Sequence, residues 1–165
     1  MNIKLKSIKK WKKNRFFPFF TSIKNQNKYF AIVGLGSNIP PEEFYFKKLF
    51  YLLTIDKRIK ILNTSPMLIN EAFGFRAQRD FLNAVILIQT KLHARELLKV
   101  LLYYEFKFRR KRSFKNAPRI LDLDLLYFSK KTKNDDFCTV PHIGAANRLS
   151  VILPLSKLKN NIGVL

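Results

Sequence analysis

The chain has 165 residues, 47% hydrophobic with sixteen phenylalanines, which suits a single domain burying roughly 70% of its unfolded surface and excludes wholesale disorder. A net charge of +21, from 32 Lys and Arg against 11 Asp and Glu, calls for an anionic partner such as nucleic acid, nucleotide phosphates or an anionic membrane surface. The lone cysteine, Cys138, excludes an internal disulfide framework, and no run of about 18 apolar residues exists to form a membrane-spanning helix.

Residues 1–28 carry nine basic side chains and no acidic one. Their apolar block, "FFPFF", is too short and Pro-broken for a signal-peptide core. This segment reads as a basic arm, dispensable for chemistry and separate from one domain over 29–165, and a cytoplasmic address is the expectation. From Tyr29, "YFAIVGLGSN" predicts a buried strand stopped by Gly34, Gly36 and Asn38. "PPEEFYFKKLFYLLTID" predicts a helix, with Pro and two glutamates at its start and Phe46, Leu49, Phe50 and Leu53 on one stripe.

"RIKILNTSP" predicts a second strand ended by Pro66, and the aperiodic stretch from Met67 to Asp80 a long loop. "FLNAVILIQT" predicts a third strand, "ARELLKVLLYYEFKFRR" a second amphipathic helix and "APRILDLDLLYF" a fourth strand. The order β-α-β-β-α-β predicts an α+β, ferredoxin-like antiparallel sheet with both helices on one face. The rest, through "VPHIGAANRLSVILPLSKL", is expected to be an appendage of short elements.

The fourth strand raises a chemical question. Alternation puts Ile120, Asp122, Asp124 and Leu126 on one face and Leu121, Leu123, Leu125 and Tyr127 on the other, which reads as core. Two carboxylates about 7 Å apart at the backbone repel by roughly 2 kcal/mol at an effective dielectric near 20. Something positive should lie between them. An aspartate pair at i, i+2 can hold two Mg²⁺ ions, or it can be an ion-paired structural feature. The preceding loop, "RRKRSFKNAPR", supplies Arg109, Arg110, Lys111, Arg112, Lys115 and Arg119. Guanidinium groups clasp phosphate oxygens bidentately, so a cation-rich loop beside a two-metal site suits a polyphosphate. A solvated loop or an RNA contact is the alternative. Glu105, at the margin of the stripe formed by Leu98, Leu101 and Leu102, either snorkels to the surface or accepts hydrogen bonds from a ligand. Asn83, inside a strand where asparagine is depleted, offers a donor and an acceptor suited to the edge of a heterocycle.

Taken together, "GLGSN", "DFLNAV", "PRILDLDLL" and "TVPH…NR…V…PL" occur in an order and at spacings that resemble the 6-hydroxymethyl-7,8-dihydropterin pyrophosphokinase family, over about Tyr29 to Leu158. The resemblance implies transfer of pyrophosphate from ATP to a pterin alcohol in folate biosynthesis, with two Mg²⁺ ions as cofactors. It implies that Asp122 and Asp124 are the metal ligands and, with Arg110 and Arg119, catalytic. It also implies ATP contacts from Glu105, Arg112, Leu125, Thr139, His142 and Arg148. Phe73, Gly74, Phe81 and Asn83 are implied as pterin contacts. The partners expected are ATP and a hydroxymethyl-dihydropterin, with no stable nucleic-acid partner, no membrane and a monomer sufficing.

The chain departs from the pattern of that family at several places. Asn116-Ala117 stands where the family has Trp-Gly, Ile120 replaces a threonine, Arg109 a glycine, and Ser150 an aromatic. These changes bear on the lid and the pterin stacking partner, and they spare the aspartate pair. The rival readings are an RNA-binding module on the same kind of sheet, a nucleotidyltransferase and an inactive relative that kept the fold. No RNA-recognition run occurs, RNA binding gives no reason for two aspartates on an exposed sheet face, and "GS" precedes "DLD" by too many residues for the nucleotidyltransferase arrangement.

Overall fold

The computed structural model describes residues 8–21, 29–75, 77–110, 114, 116–129 and 131–159. The unbroken apolar stretch after Tyr29 forms the central strand, β3 (Tyr29–Ser37), numbered after the two strands that precede it in the chain. It pairs along its whole length with β6 (Phe81–Thr90) and on its other edge with β7 (Asp122–Phe128). β4 (Ile59–Thr64) and β5 (Met67–Asn70) lie end to end along the far edge of β6. All pairings among the described strands are antiparallel.

β5 corrects the expectation of a loop from Met67 onward. Pro66 interrupts the ladder without ending the strand, because Ser65 bridges the gap. Its N–H donates to the Val85 carbonyl at 3.0 Å, and its Oγ accepts from the Val85 N–H at 3.0 Å. The chain then resumes pairing at Leu68 opposite Asn83.

Two helices cover one face, as expected. α1 (Glu42–Ile55) brings Phe46, Leu49, Phe50 and Leu53, and α2 (Ala94–Lys107) brings Leu97, Val100, Leu101 and Tyr104, onto Val33, Leu35, Ile86, Ile88, Leu123 and Leu125. Each such buried side chain contributes about 1.5–3 kcal/mol. Glu42 and Glu43 sit in the first turn of α1, where carboxylates favour the positive end of the helix dipole. The opposite face is not wholly free. A third helix, α3 (Leu149–Ser156), packs Val151 there, with Leu158 beyond it, onto Ile32, Leu62, Val85, Leu87 and Leu126. The strip this helix leaves uncovered carries the aspartates.

Alternation in β7 holds for Leu123 and Leu125 and then slips. Val33 pairs with Leu125 but Ile32 with Tyr127, so Leu126 is an extra residue and the strand bulges. Phe128 takes the helix-facing side in place of Tyr127, which packs on the opposite cluster.

The N-terminal segment departs most from expectation. Its described part belongs to the sheet: β1 (Ile8–Lys12) pairs with β5, and β2 (Phe19–Phe20) with β4. Between them, the Asn14 side-chain carbonyl accepts from the N–H groups of Phe16 and Phe17, turning the chain. Phe17 is 0% exposed against Phe46 and Phe50. Basic residues outnumber everything else in the segment, yet its aromatic block is core. A separate two-stranded ribbon, β8 (Lys133–Asn134) with β9 (Thr139–Val140), flanks β7. Among the described residues, no helix is long and apolar enough to cross a membrane.

Candidate active site

Asp122 and Asp124 emerge from β7 on the face away from α1 and α2, as the alternation requires. Each has its own cations. Asp122 Oδ1 lies 2.7 Å from Arg110 Nη1, and Oδ2 lies 3.3 Å from Arg119 Nε, which is buried and lacks hydrogen-bond alignment. Asp124 Oδ1 faces His142 Nε2 at 3.9 Å, and Oδ2 faces Arg148 Nη1 at 3.8 Å. Burial, and after it the Asp122 carboxylate, push the Asp124 carboxyl above its ordinary range, against the opposing pull of His142, Arg148 and Arg110. The positive charge that the sequence demanded is present as four basic side chains.

Glu105 settles the two readings left open for it by being neither a snorkelling nor a free carboxylate. It is 3% exposed, and its Oε1 accepts from the Leu123 N–H at 2.8 Å on the free edge of β7 and from Arg110 Nη1. A carboxylate on the last turns of α2 therefore positions both strand and arginine. His142 is fixed in a similar way. Its N–H donates to the Leu126 carbonyl at 2.8 Å, and its Nδ1 accepts from the Gly144 N–H at 3.0 Å. In the neutral ring the proton therefore sits on Nε2, towards Asp124.

The carboxylate pair is the shared wall of two clefts. One cleft contains Gly36, Asn70, Phe73, Phe81, Asn83, Arg119, Arg148 and Ser150 beside the aspartates. Gly36 makes this possible, since a Cβ there would press on Asn83 Oδ1 at 3.3 Å and on Phe81 at 3.6 Å. Asn83 Nδ2 donates to Asn70 Oδ1 at 2.7 Å, which leaves the Asn83 carbonyl towards the cleft. The Arg119 guanidinium stacks over Phe81 at 5.1 Å and that of Arg148 over Phe73 at 5.5 Å. Phe73 itself is 72% exposed, and Gly74 follows it with φ +80, a conformation that favours glycine. The second cleft, of about 550 Å³, lies between α2 and the β8–β9 ribbon and contains Leu98, Leu102, Glu105, Arg110, Thr139 and His142. Leu125 closes its back with a side chain buried in the core, and Thr139 Oγ1 donates to Asn134 Oδ1 at 3.1 Å.

The structure thus gathers Arg110, Arg119, Asp122, Asp124, Glu105, His142, Arg148, Asn83, Phe81, Phe73, Gly74, Leu125 and Thr139 around two adjoining clefts. Arg112, Lys111 and Lys115 lie outside the described residues. Two participants escaped sequence reasoning. Asn70 partners Asn83, and its signal was another polar residue closing an apolar run, "MLIN". Asn38, 1% exposed, holds Arg119 through the backbone, accepting from its N–H at 2.8 Å and donating to its carbonyl at 3.1 Å.

The donor set suits magnesium. Among the described residues no third His, Cys, Asp or Glu joins the pair to complete an all-protein metal cage. Mg²⁺ is commonly held by one or two carboxylates, with phosphate oxygens and water filling its octahedron.

Comparison with known proteins gives the same direction. The family model for 7,8-dihydro-6-hydroxymethylpterin-pyrophosphokinase matches residues 32–160. The 2-amino-4-hydroxy-6-hydroxymethyldihydropteridine pyrophosphokinase of Campylobacter jejuni is 64% identical over 94% of this chain and 99% of its own. Its counterpart in Helicobacter pylori is 33% identical over 87% of this chain and 89% of its own, and that of Bacillus subtilis 31% over 78% and 77%. A match over nearly all of the folded chain, containing both clefts and the aspartates between them, makes this chain a member of the 7,8-dihydro-6-hydroxymethylpterin-pyrophosphokinase family.

Proposed function

We propose that the carboxylates of Asp122 and Asp124 bind two Mg²⁺ ions together with the phosphates of ATP, between a nucleotide cleft under α2 and a pterin cleft over β5 and β6. The chain is a 2-amino-4-hydroxy-6-hydroxymethyldihydropteridine pyrophosphokinase, an ATP-using transferase of folate biosynthesis. The observation supporting the site assignment is that one aspartate pair borders both clefts. A group passing from a molecule in one to a molecule in the other crosses the carboxylates.

In this reading the pterin hydroxyl attacks the β-phosphorus, the bond to the α-phosphate oxygen breaks, and AMP leaves. Bound magnesium would neutralise phosphate charge and align the two oxygens of the displacement. Arg110 and Arg119, already beside Asp122, reach phosphate oxygens by small side-chain movements and stabilise charge as the bond breaks. Glu105 holds Arg110 in place. His142, with its proton on Nε2, and Arg148 add donors near Asp124. Leu98, Leu102 and Leu125 supply apolar walls for the adenine, with Thr139 as a polar contact at its rim. The Asn83 amide reads the pterin edge, with Phe81 stacking on one ring face and Phe73 and Gly74 closing over the other. No side chain acts covalently. The β3-α1-β4-β6-α2-β7 portion is read as ferredoxin-like, and one copy of the chain is sufficient for both clefts.

Incubation with ATP, Mg²⁺ and reduced 6-hydroxymethylpterin tests the reading. AMP should appear in equal amount to pyrophosphorylated pterin, and only with the divalent cation. Formation of ADP and a monophosphorylated acceptor would refute it.

A further inference from the structure

We propose that Gln78 is a positioning residue that joins the loops flanking the two clefts, so that binding of either substrate favours binding of the other. The inference rests on the assignment of pterin and nucleotide to these clefts. Gln78 lies in the loop after β5, which carries Phe73 and Gly74. Its Nε2 donates to the Phe75 carbonyl at 2.6 Å within that loop, and to the Asn116 carbonyl at 2.9 Å in the loop before β7. Its Oε1 accepts from Asn38 Nδ2 at 2.8 Å, and the same amide donates to the Arg79 carbonyl at 3.2 Å.

Two further contacts tie the loops together. The rings of Phe75 and Phe114 meet edge to face at 5.3 Å. The Asn116 side chain occupies the space beside Gly74, where any Cβ would collide with it, and Asn116 holds φ 62 to do so. A left-handed backbone is tolerated by asparagine better than by most residues. From Gln78 the connection continues through buried Asn38 to the Arg119 backbone, and so to a guanidinium lying against both Asp122 and Phe81. A single amide thus touches the pterin-side loop, the phosphate-side loop and the residue that fixes Arg119.

The physical consequence concerns ordering. Each loop loses freedom when its substrate binds. Because the loops are clasped, the first substrate restrains both, and the second meets a loop already ordered. Such coupling is reciprocal for binding free energies.

The test measures dissociation constants for 6-hydroxymethylpterin with and without Mg²⁺ and an ATP analogue whose α,β bridge is methylene and cannot be cleaved. The wild-type chain should bind the pterin about tenfold more tightly with the nucleotide present. Gln78→Ala and Gln78→Glu, the latter keeping length and losing both N–H donors, should bring that factor below about twofold. Each ligand alone should bind nearly as in the wild type, with the melting temperature of at least one variant unchanged. Retention of the wild-type factor in either folded variant overturns the proposal. Equal weakening of both ligands alone would also overturn it, showing a merely structural role, as would absence of coupling in the wild type. A wild-type chain that bound neither ligand would instead refute the assignment of the clefts.

Discussion

Arg110 Nη1 stands 2.7 Å from Asp122 Oδ1, so a loop arginine occupies the flank of the carboxylate assigned to magnesium. The same guanidinium hydrogen-bonds Glu105, which is anchored to the Leu123 N–H of the strand bearing both aspartates. In the absence of substrate the arginine neutralises a carboxylate. With a polyphosphate and metal present, those carboxylate oxygens are taken by the metal, and the arginine is released towards phosphate oxygens. One cation therefore serves two states, and Glu105 keeps it within reach in each.

Arg110→Ala should accordingly lower kcat more than it raises the KM for ATP, by about 2–4 kcal/mol in the chemical step, the usual loss for one electrostatic donor at such a site. Steady-state kinetics combined with nucleotide titration separates the two effects. A variant changed only in nucleotide affinity would make the residue a binding clamp and remove its catalytic role.

Asp124→Asn should abolish Mg²⁺-dependent turnover and raise the melting temperature of the ligand-free protein. Its carboxylate is buried beside Asp122 and held above its ordinary range, so its ionised form works against folding. Each kcal/mol relieved should raise Tm by about 2–4 °C for a chain of this size. A fall in Tm would show that His142 and Arg148 stabilise the ionised carboxylate by more than burial and Asp122 oppose it.

The site was more legible in the sequence than the sheet around it. Alternation in "ILDLDLLYF" placed both aspartates on the correct face because strand geometry is local. β3, β6, α1 and α2 were legible for the same reason, since each carries its own periodicity. β5 was hidden because Pro66 reads as a stop, whereas Ser65 carries the ladder across it, a contact that only tertiary structure supplies. β1 and β2 were hidden by lysines, which on an edge strand are compatible with pairing and suppress association with other edges. α3 contains Pro154 and lacks charges for a clear polar face, so "LSVILPLS" did not announce a helix. Gln78 and Asn38 have no local signature at all, because their importance lies in contacts between segments far apart in the chain.

Phe17→Ala should destabilise the protein by about 3–5 kcal/mol, the range for emptying a buried aromatic site. Phe17 is fully buried between Phe46 and Phe50 of α1, and Phe16 and Phe19 also pack on Phe50. Deletion of residues 1–21 should cost more, because it also unpairs β4 and β5. Urea unfolding of both variants checks this. A truncated chain with wild-type stability would return the segment to the status of a dispensable arm.

Far from the active site, Asp56 should make stability depend on pH in a definite direction. It follows the C-terminus of α1 and accepts from Arg58 Nε at 2.9 Å, Arg58 Nη2 at 2.7 Å, the Arg58 N–H at 3.0 Å and Tyr104 Oη at 2.8 Å. The Arg58 guanidinium is the chief cause that holds its carboxyl down at about 2 from an ordinary 3.8, against the opposing effect of burial. Burial, with Asp56 second, pushes the Tyr104 hydroxyl up to about 12, so tyrosine remains a donor throughout the working range. Because the folded pKa lies below the unfolded one, the carboxylate stabilises the fold fully above about pH 5 and loses that contribution as pH falls from about 4 towards 2. The shift corresponds to about 2 kcal/mol, reduced to about 1–2 kcal/mol because Arg58 is half exposed and screened by solvent. Asp56→Asn should therefore be less stable than the wild type by that amount at pH 7, with the difference nearly gone at pH 2. Urea midpoints for both chains across this window decide the matter, and a difference that stays constant with pH would mean that the ionised form of Asp56 adds nothing beyond hydrogen bonds an amide can also make.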